Sequence, residues 1–541
     1  MNERGDRWNL RTVPPELAAK FCAEGWWTDE TLGDIVAGAI DRLGEATFAV
    51  HSETRPWRGT FGEVDQAARS FAATLRARGL GPGDVVMSQL PNSVEAAIVF
   101  WGAAYLGAVM VPVVHFYGPK EVGYVVDVVK PDVIVTPARF GQIDYIENLG
   151  EILTGDLAER WFLVADDDVA LPAGAQPFAD LQTHDPIAAP LRVDPDSPAV
   201  IGFTSGTTSN PKGVIHTHRT LGFEGRQLGE MSGAPNLPSI VGAPVGHFMG
   251  MLNAFLIALL KDQPIHLVDV WNPALVLRTM LDEGLTMSGG ATFFVTSLLD
   301  HPDFTDEHLA LMPIAGMGGS TVPSAVTERL AALGILVYRS YGSTEQPSIT
   351  GCSIHDAEEK RLHTDGCVLP GVEIRLDDEG QIFSRGPDLF LGYTDADLTA
   401  EMIDAEGWYR TGDVGELDAD GYLSITDRIS DVIIRGGENI SAQEVEEQLL
   451  RLEGVAEVAV VAAPDERLGE HAAAVLRLLP ETTCPTLDEI RTHLTTVGLA
   501  KQKWPESIYQ VADFPRTPTG KIQKFRVRQQ LRDGLLDQST D

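Results

Sequence analysis

Cysteine is scarce in this 541-residue sequence. Its four cysteines, Cys22, Cys352, Cys367 and Cys484, stand far apart with no Cys-x-x-Cys pair. That excludes a disulfide framework and a thiolate zinc site, and it reads as a reduced protein of the cytoplasm. Basic residues are also short: 41 Lys+Arg face 78 Asp+Glu, for a net charge of −37. So negative a chain is not expected to bind nucleic acid or an anionic membrane surface. Any anionic ligand must therefore be held by local positive groups. Long charge-free runs are missing with one exception, residues 96–114. The run is long enough to span a bilayer, but Gly102, Gly107 and Pro112 divide it. It reads instead as a buried helix ending near Gly107 and a strand over 108–113, so no integral membrane segment is expected. The first 21 residues carry charges throughout, unlike a signal peptide. No G-x-G-x-x-G or G-x-S-x-G occurs, which leaves dinucleotide oxidoreductases and serine hydrolases without support.

What is present begins with length, which implies more than one domain. Thr60 with Glu63 forms a capping-box pattern for a helix running to Arg78. A strand over 85–90 follows, and Pro91-Asn92-Ser93 opens the next helix. Such alternation predicts a parallel sheet covered by helices. Residues 142–196 are acidic and poorly periodic, and point to no chemistry.

The most informative stretch follows the apolar run 198–203. It reads Thr204-Ser205-Gly206-Thr207-Thr208-Ser209-Asn210-Pro211-Lys212-Gly213. Small hydroxylated residues and Gly leave room for backbone N–H groups and hydroxyls to converge on one anion. Lys212 adds a point charge suited to phosphate. Pro211 stands where the ATPase phosphate loop has its second Gly, so this is a different phosphate loop. It resembles the signature loop of the adenylate-forming superfamily, which includes acyl- and aryl-CoA ligases, peptide synthetase adenylation domains and beetle luciferases.

Four further motifs follow in order. Gly318-Gly319-Ser320 resembles the family loop covering adenine. In Tyr341-Gly342-Ser343-Thr344-Glu345 the resemblance implies that Tyr341 stacks on adenine, Thr344 bonds phosphate and Glu345 holds Mg²⁺. Asp413 and Arg428 match the family's ribose contacts. Lys521, in Pro518-Thr519-Gly520-Lys521, matches its catalytic lysine. Between 501 and 528 seven Lys/Arg face two Asp/Glu, a local reversal of the chain's charge. Arg435-Gly436-Gly437-Glu438, read as a turn running to Ile440, resembles the loop that closes on the pantetheine thiol of coenzyme A. Ser430 departs from the family: the hinge position two residues after Arg428 usually holds Asp or Lys.

His247 alone reads most simply as a hydrogen-bonded core histidine. The pattern Pro-x-x-His-x-x-Gly around it resembles the segment lining the acyl pocket. No carboxylate occurs from Val245 to Met251, so an α-ammonium would be uncompensated there. The substrate is therefore expected to be an acid without an α-amine. Phe248, Met249, Met251, Phe293 and Phe294 suggest that the pocket is apolar.

The resemblance implies an α/β fold. A large N-terminal domain (1–428) of packed α/β sheets plus a distorted β-barrel precedes a small mobile α+β C-terminal domain (429–541). It implies ATP, Mg²⁺ and coenzyme A as cofactors, a small-molecule carboxylic acid as partner, and acyl-CoA as product. The acid is expected to be medium-chain, alicyclic or aryl. A ligase loading an acyl carrier protein would share every adenylation motif. Oligomeric state is open, a homodimer included.

Overall fold

A computed structural model describes residues 7–204, 211–231, 236–436, 438–465, 467–517 and 520–538. The charge-free run resolves as expected. Ser93 accepts a hydrogen bond from Ala96 N–H to start the helix Val94–Leu106, and Gly107, at φ +70°, ends it. Of its 13 residues only Val94 and Glu95 are not buried. Each such Val, Ile or Phe side chain contributes about 2 kcal/mol of burial. The helix lies against Phe61–Ala77, whose N-cap Thr60 and Glu63 form the expected capping box. The approach is close enough that a Cβ on Gly102 would stand 2.5 Å from Phe71 Cδ1.

These helices cover an eight-stranded sheet. Its order is Gly392–Tyr393, Lys212–Thr217, Pro198–Thr204, Val109–Pro112, Val85–Ser88, Val133–Pro137, Trp161–Val164 and Gln176–Pro177. Its centre is parallel and bears the run of apolar residues that burial on both faces requires. A second sheet places Gly289–Gly290, Ile314–Met317 and Leu336–Tyr341 in parallel. Where a distorted barrel was expected, Glu373–Leu376, Gln381–Arg385, Tyr409–Leu417 and Leu423–Arg428 form an antiparallel sheet, open among the described residues.

Every strand from Ile433 onward belongs to one further sheet. Period-two alternation in Val455–Asp465 gives it two buried faces. Val458 and Val460 pack with Val445, Leu449, Ile490 and Leu494, while Ala459 and Val461 pack with Val527. The segment expected as a turn after Arg435 is a hairpin. Ile433–Arg435 pairs with Glu438–Ile440, because extended β-branched residues flank Gly436, whose φ is +58°.

The two parts touch at two places. The Arg516 guanidinium lies 5.4 Å from the Phe293 ring centroid, and a Cβ on Gly520 would stand 2.8 Å from Phe293 Cβ. Arg528, on the helix Lys524–Arg532, donates to the Ser430 carbonyl at 3.0 Å and pairs with Asp431 at 3.1 Å. No described helix is long and apolar enough to cross a membrane.

Candidate active site

Parallel pairing sets the site's geometry. Gly290 lies beside Met317, and Met317 beside Arg339. Gly318–Ser320 and Tyr341–Glu345 therefore leave the carboxyl ends of adjacent strands on one edge, where open α/β sheets bind ligands. Glycine is required at both exits. A Cβ on Gly318 would stand 2.7 Å from Ser340 Oγ, and one on Gly342 2.1 Å from the Pro347 carbonyl oxygen.

Tyr341 donates its hydroxyl to Asp413 Oδ2 at 2.7 Å. Burial, then the Asp413 charge, pushes the Tyr341 pKa well up, so the phenol stays neutral. Asp413 pairs across the sheet with Arg428, whose Nε reaches Asp413 Oδ1 at 2.9 Å. A carboxylate has about four acceptor directions, so two diol hydroxyls can still be accepted.

Glu345 is held from two sides. Its carbonyl accepts from Phe390 N–H at 2.8 Å, and its Oε1 accepts from the Tyr393 hydroxyl at 2.8 Å. Lys212 Nζ lies 5.7 Å from the Tyr393 ring centroid, so the phosphate lysine and the carboxylate share one tyrosine. The Thr344 carbonyl accepts from His216 Nε2 at 2.7 Å. Burial lowers the His216 pKa to about 4, so it is neutral and its Nε2 carries the proton. Beneath them lies a buried acid pair. The Ser348 hydroxyl sits 2.9 Å from Glu224 Oε2 and 3.1 Å from Asp388 Oδ2, and Gln346 Nε2 donates to Asp388 Oδ1 at 3.0 Å. Both acids are 0% exposed, and neither meets a cation among the described residues. One serine proton cannot serve two carboxylates, so the pair holds a proton of its own; burial raises both pKa values, that of Asp388 to about 6.

Lys521 follows a turn closed by Gly520 N–H to Thr517 O at 2.9 Å and Thr517 N–H to Lys521 O at 2.7 Å. Its side chain enters the cleft. It keeps contact with water, yet protein crowds it on every side. That crowding, then the Arg428 charge, lowers its pKa to about 8. The ammonium makes no ion pair or hydrogen bond among the described residues. Near it is His247, whose pKa burial and the Lys521 charge lower to about 4. His247 Nδ1 is buried without a hydrogen-bond partner, so the bonded core histidine is corrected to a ring with an open valence.

One cavity of about 1400 Å³ unites these groups. Thr204, Lys212, His247, Gly318, Gly319, Ser320, Tyr341, Gly342, Ser343, Thr344, Glu345, Asp413, Arg428 and Lys521 all line it. Ser205, Gly206, Thr207, Thr208 and Gly437 lie outside the described residues. Two expectations fail. Phe248 and Met251 turn into the core, Phe248 stacking 4.8 Å from His216, because the helix they start presents only every fourth residue to the cleft. Met249, Phe293 and Phe294 do line it. Arg435, Gly436 and Glu438 do not, because Arg435 pairs with Glu506 at 2.7 Å and Gly436 N–H bonds Leu468 O at 2.8 Å. His216, Tyr393 and the acid pair carried no sequence signal beyond a Gly-Tyr dipeptide and a lone Glu in a helix.

Among the described residues no three His, Cys, Asp or Glu side chains form a metal cluster. Glu345 Oε2 accepts from no described group, leaving one carboxylate oxygen at the cleft wall. That donor set fits a cation bound chiefly through phosphate oxygens, as Mg²⁺ is.

The profile described as "AMP-binding enzyme" matches residues 40–394, and that for the "AMP-binding enzyme C-terminal domain" matches 444–521. The chain belongs to the AMP-binding enzyme family. Within this family it is 34% identical over 504 residues to the 3-[(3aS,4S,7aS)-7a-methyl-1,5-dioxo-octahydro-1H-inden-4-yl]propanoyl:CoA ligase of Rhodococcus jostii, covering 91% of this chain and 97% of the relative. It is 31% identical to the medium-chain fatty-acid–CoA ligase of Escherichia coli, covering 96% and 94%. The crystal structure of ATP-bound MatB from Rhodopseudomonas palustris superimposes with a TM-score of 0.82 at 25% identity, covering 93% of this chain and 99% of that one. ATP is thus the nucleotide that this AMP-binding enzyme takes.

Proposed function

We propose that this chain is an ATP-dependent acid–CoA ligase for a carboxylic acid without an α-amine. The observation that carries this reading is Lys521 standing in the same cleft as Glu345, Tyr341 and Asp413. In the first step a carboxylate oxygen attacks the α-phosphorus of ATP, and pyrophosphate leaves. In the second the coenzyme A sulfur attacks the acyl carbon, its proton is lost and AMP leaves. Thr344 and Lys212, with the loop 205–210, hold phosphate; Tyr341 and Gly318–Ser320 flank adenine; Asp413 and Arg428 hold ribose. Lys521 stabilises charge developing between the attacking and departing oxygens. Glu345 would hold Mg²⁺, which when bound neutralises phosphate charge. Neutral His247 faces the acid with no carboxylate to pair an amine.

The boundary between the two functional units lies at 428/429, with Ser430 as the pivot. Turning there would remove Lys521 and bring the Arg435–Glu438 hairpin toward the thiol. The compartment is the cytoplasm. The test is pyrophosphate release with a panel of aliphatic, alicyclic and aryl acids beside α-amino acids, followed by product analysis with coenzyme A and with holo-carrier protein. Acyl-CoA from an acid without an amine is expected. An α-amino acid as best substrate, or product on the carrier protein alone, would overturn the reading.

A further inference from the structure

Residues 248–260 form one continuous helical rod: α-turns at Phe248–Leu252, a π-turn at Asn253–Ile257 and α-turns again at Ala258–Leu260. In an α-helix residues four apart drift steadily round the axis. The wider π-turn counters that drift and keeps them on one face. Met249, Asn253, Ile257 and Lys261 are spaced by four, and all four line the cleft. Their neighbours Met251, Leu252, Phe255, Leu256 and Leu259 are buried in the core. At roughly 1.5 Å per residue the face from Met249 to Lys261 is about 18 Å long. Leu228, Met231, Leu237 and Val241 line the same cavity.

This wall is apolar except at two places. The Asn253 amide makes no hydrogen bond among the described residues, though Ala254 and Ile257 beside it are buried. Lys261 lays its stem over Gly229, where a Cβ would stand 3.5 Å from Lys261 Cγ. Its ammonium has no partner among the described residues. The adjacent carboxylate, Asp262, is taken by Arg42 at 2.9 Å. Half-burial lowers the Lys261 pKa. In a chain of 78 acids and 41 bases, an unpaired, partly desolvated lysine at the end of an apolar wall is costly unless a ligand meets it.

We infer that the acid taken by this site carries a second oxygen function, a carboxylate or a carbonyl, remote from the reacting carboxyl, and that Lys261 binds it. The inference rests on the ligase reading and narrows its substrate. The reacting carboxyl lies at the His247 end, the apolar chain follows Met249 and Ile257, and the distal oxygen meets Lys261. An alkyl terminus in that place strips water from the ammonium and returns nothing; an acceptor restores the bond.

The test measures kcat/KM for pyrophosphate release with monoacids from octanoic to tetradecanoic acid, the matching α,ω-diacids and the matching ω-oxo acids. At the best length the parent is expected to favour an oxygenated acid over its monoacid by roughly ten- to a hundredfold. Diacids ahead of oxo acids identify a distal carboxylate; the reverse order identifies a carbonyl. Lys261→Met should collapse that ratio and Lys261→Arg should keep it. Monoacids favoured at every length, or a ratio unchanged in Lys261→Met, would overturn the inference and leave the ligase reading standing. Silence with every acid would overturn both.

Discussion

The cleft has two walls of opposite character. On the N-terminal side every charged or phenolic group is already bonded: Tyr341 to Asp413, Asp413 to Arg428, Tyr393 to Glu345, His216 to Thr344. On the C-terminal side Lys521 stands without a bond among the described residues, presented by a turn that touches the other wall through Phe293. Prepaid bonds fix where a nucleotide can lie, at no reorganisation cost when it arrives. A cation left unbonded can reach a charge that exists only in the transition state, and can then depart. One wall binds and the other reacts.

Removing the unbonded cation should break this division most sharply. Lys521→Ala is expected to slow pyrophosphate release by about 10²–10³, a loss of ~3–4 kcal/mol. The same variant, given synthetic acyl-adenylate and coenzyme A, should form acyl-CoA at near the parental rate. Equal loss in both assays would show that the walls do not divide the labour. Glu345→Gln tests the binding wall. Adenylation should fall by on the order of 10² and require more Mg²⁺, while the thermal midpoint holds. An unchanged Mg²⁺ dependence would make Glu345 merely structural. Tyr393→Phe removes only the bond to Glu345 Oε1, and a roughly tenfold rise in the Mg²⁺ needed for half-maximal rate is expected. The smallest effect lies in the pH profile. Lys521 acts protonated, so kcat/KM for ATP should be flat below about pH 8 and fall above it as the proton is lost. Acyl transfer from supplied adenylate should lack that limb.

Much of this was legible in the residues themselves. Thr60 and Glu63 announce their helix, Gly107 ends the next, and Gly342 and Gly318 mark places where backbone passes close to backbone. Local chemistry fixes such features, and sequence shows local chemistry. The misses are long-range. Tyr393 reaches Glu345 across 48 positions and His216 reaches Thr344 across 128, so neither neighbourhood hints at its partner. Phe248 and Met251 read as pocket residues because composition gives polarity without direction; only the register of the helix turns them into the core. Gly436 reads as a turn and is one, but the two strands it joins carry it away from the cleft.

The acid pair beneath Glu345 also reaches beyond the site, into how the chain holds together. Once unfolded, Glu224 and Asp388 return to ordinary carboxyl behaviour and release the proton they share at neutral pH. The native form therefore binds more protons than the unfolded one, and raising pH pulls the equilibrium toward unfolding. The sign is opposite to that of a salt-bridged carboxylate. From the ordinary carboxyl range up through about pH 6, where Asp388 titrates, this pair should withdraw stability at about 1.4 kcal/mol per pH unit for each proton. Urea midpoints of the parent and of Glu224→Gln, compared across that range, would expose the slope, since the amide removes it. A chain with 78 acids thus keeps, under its nucleotide site, two that favour mild acidity.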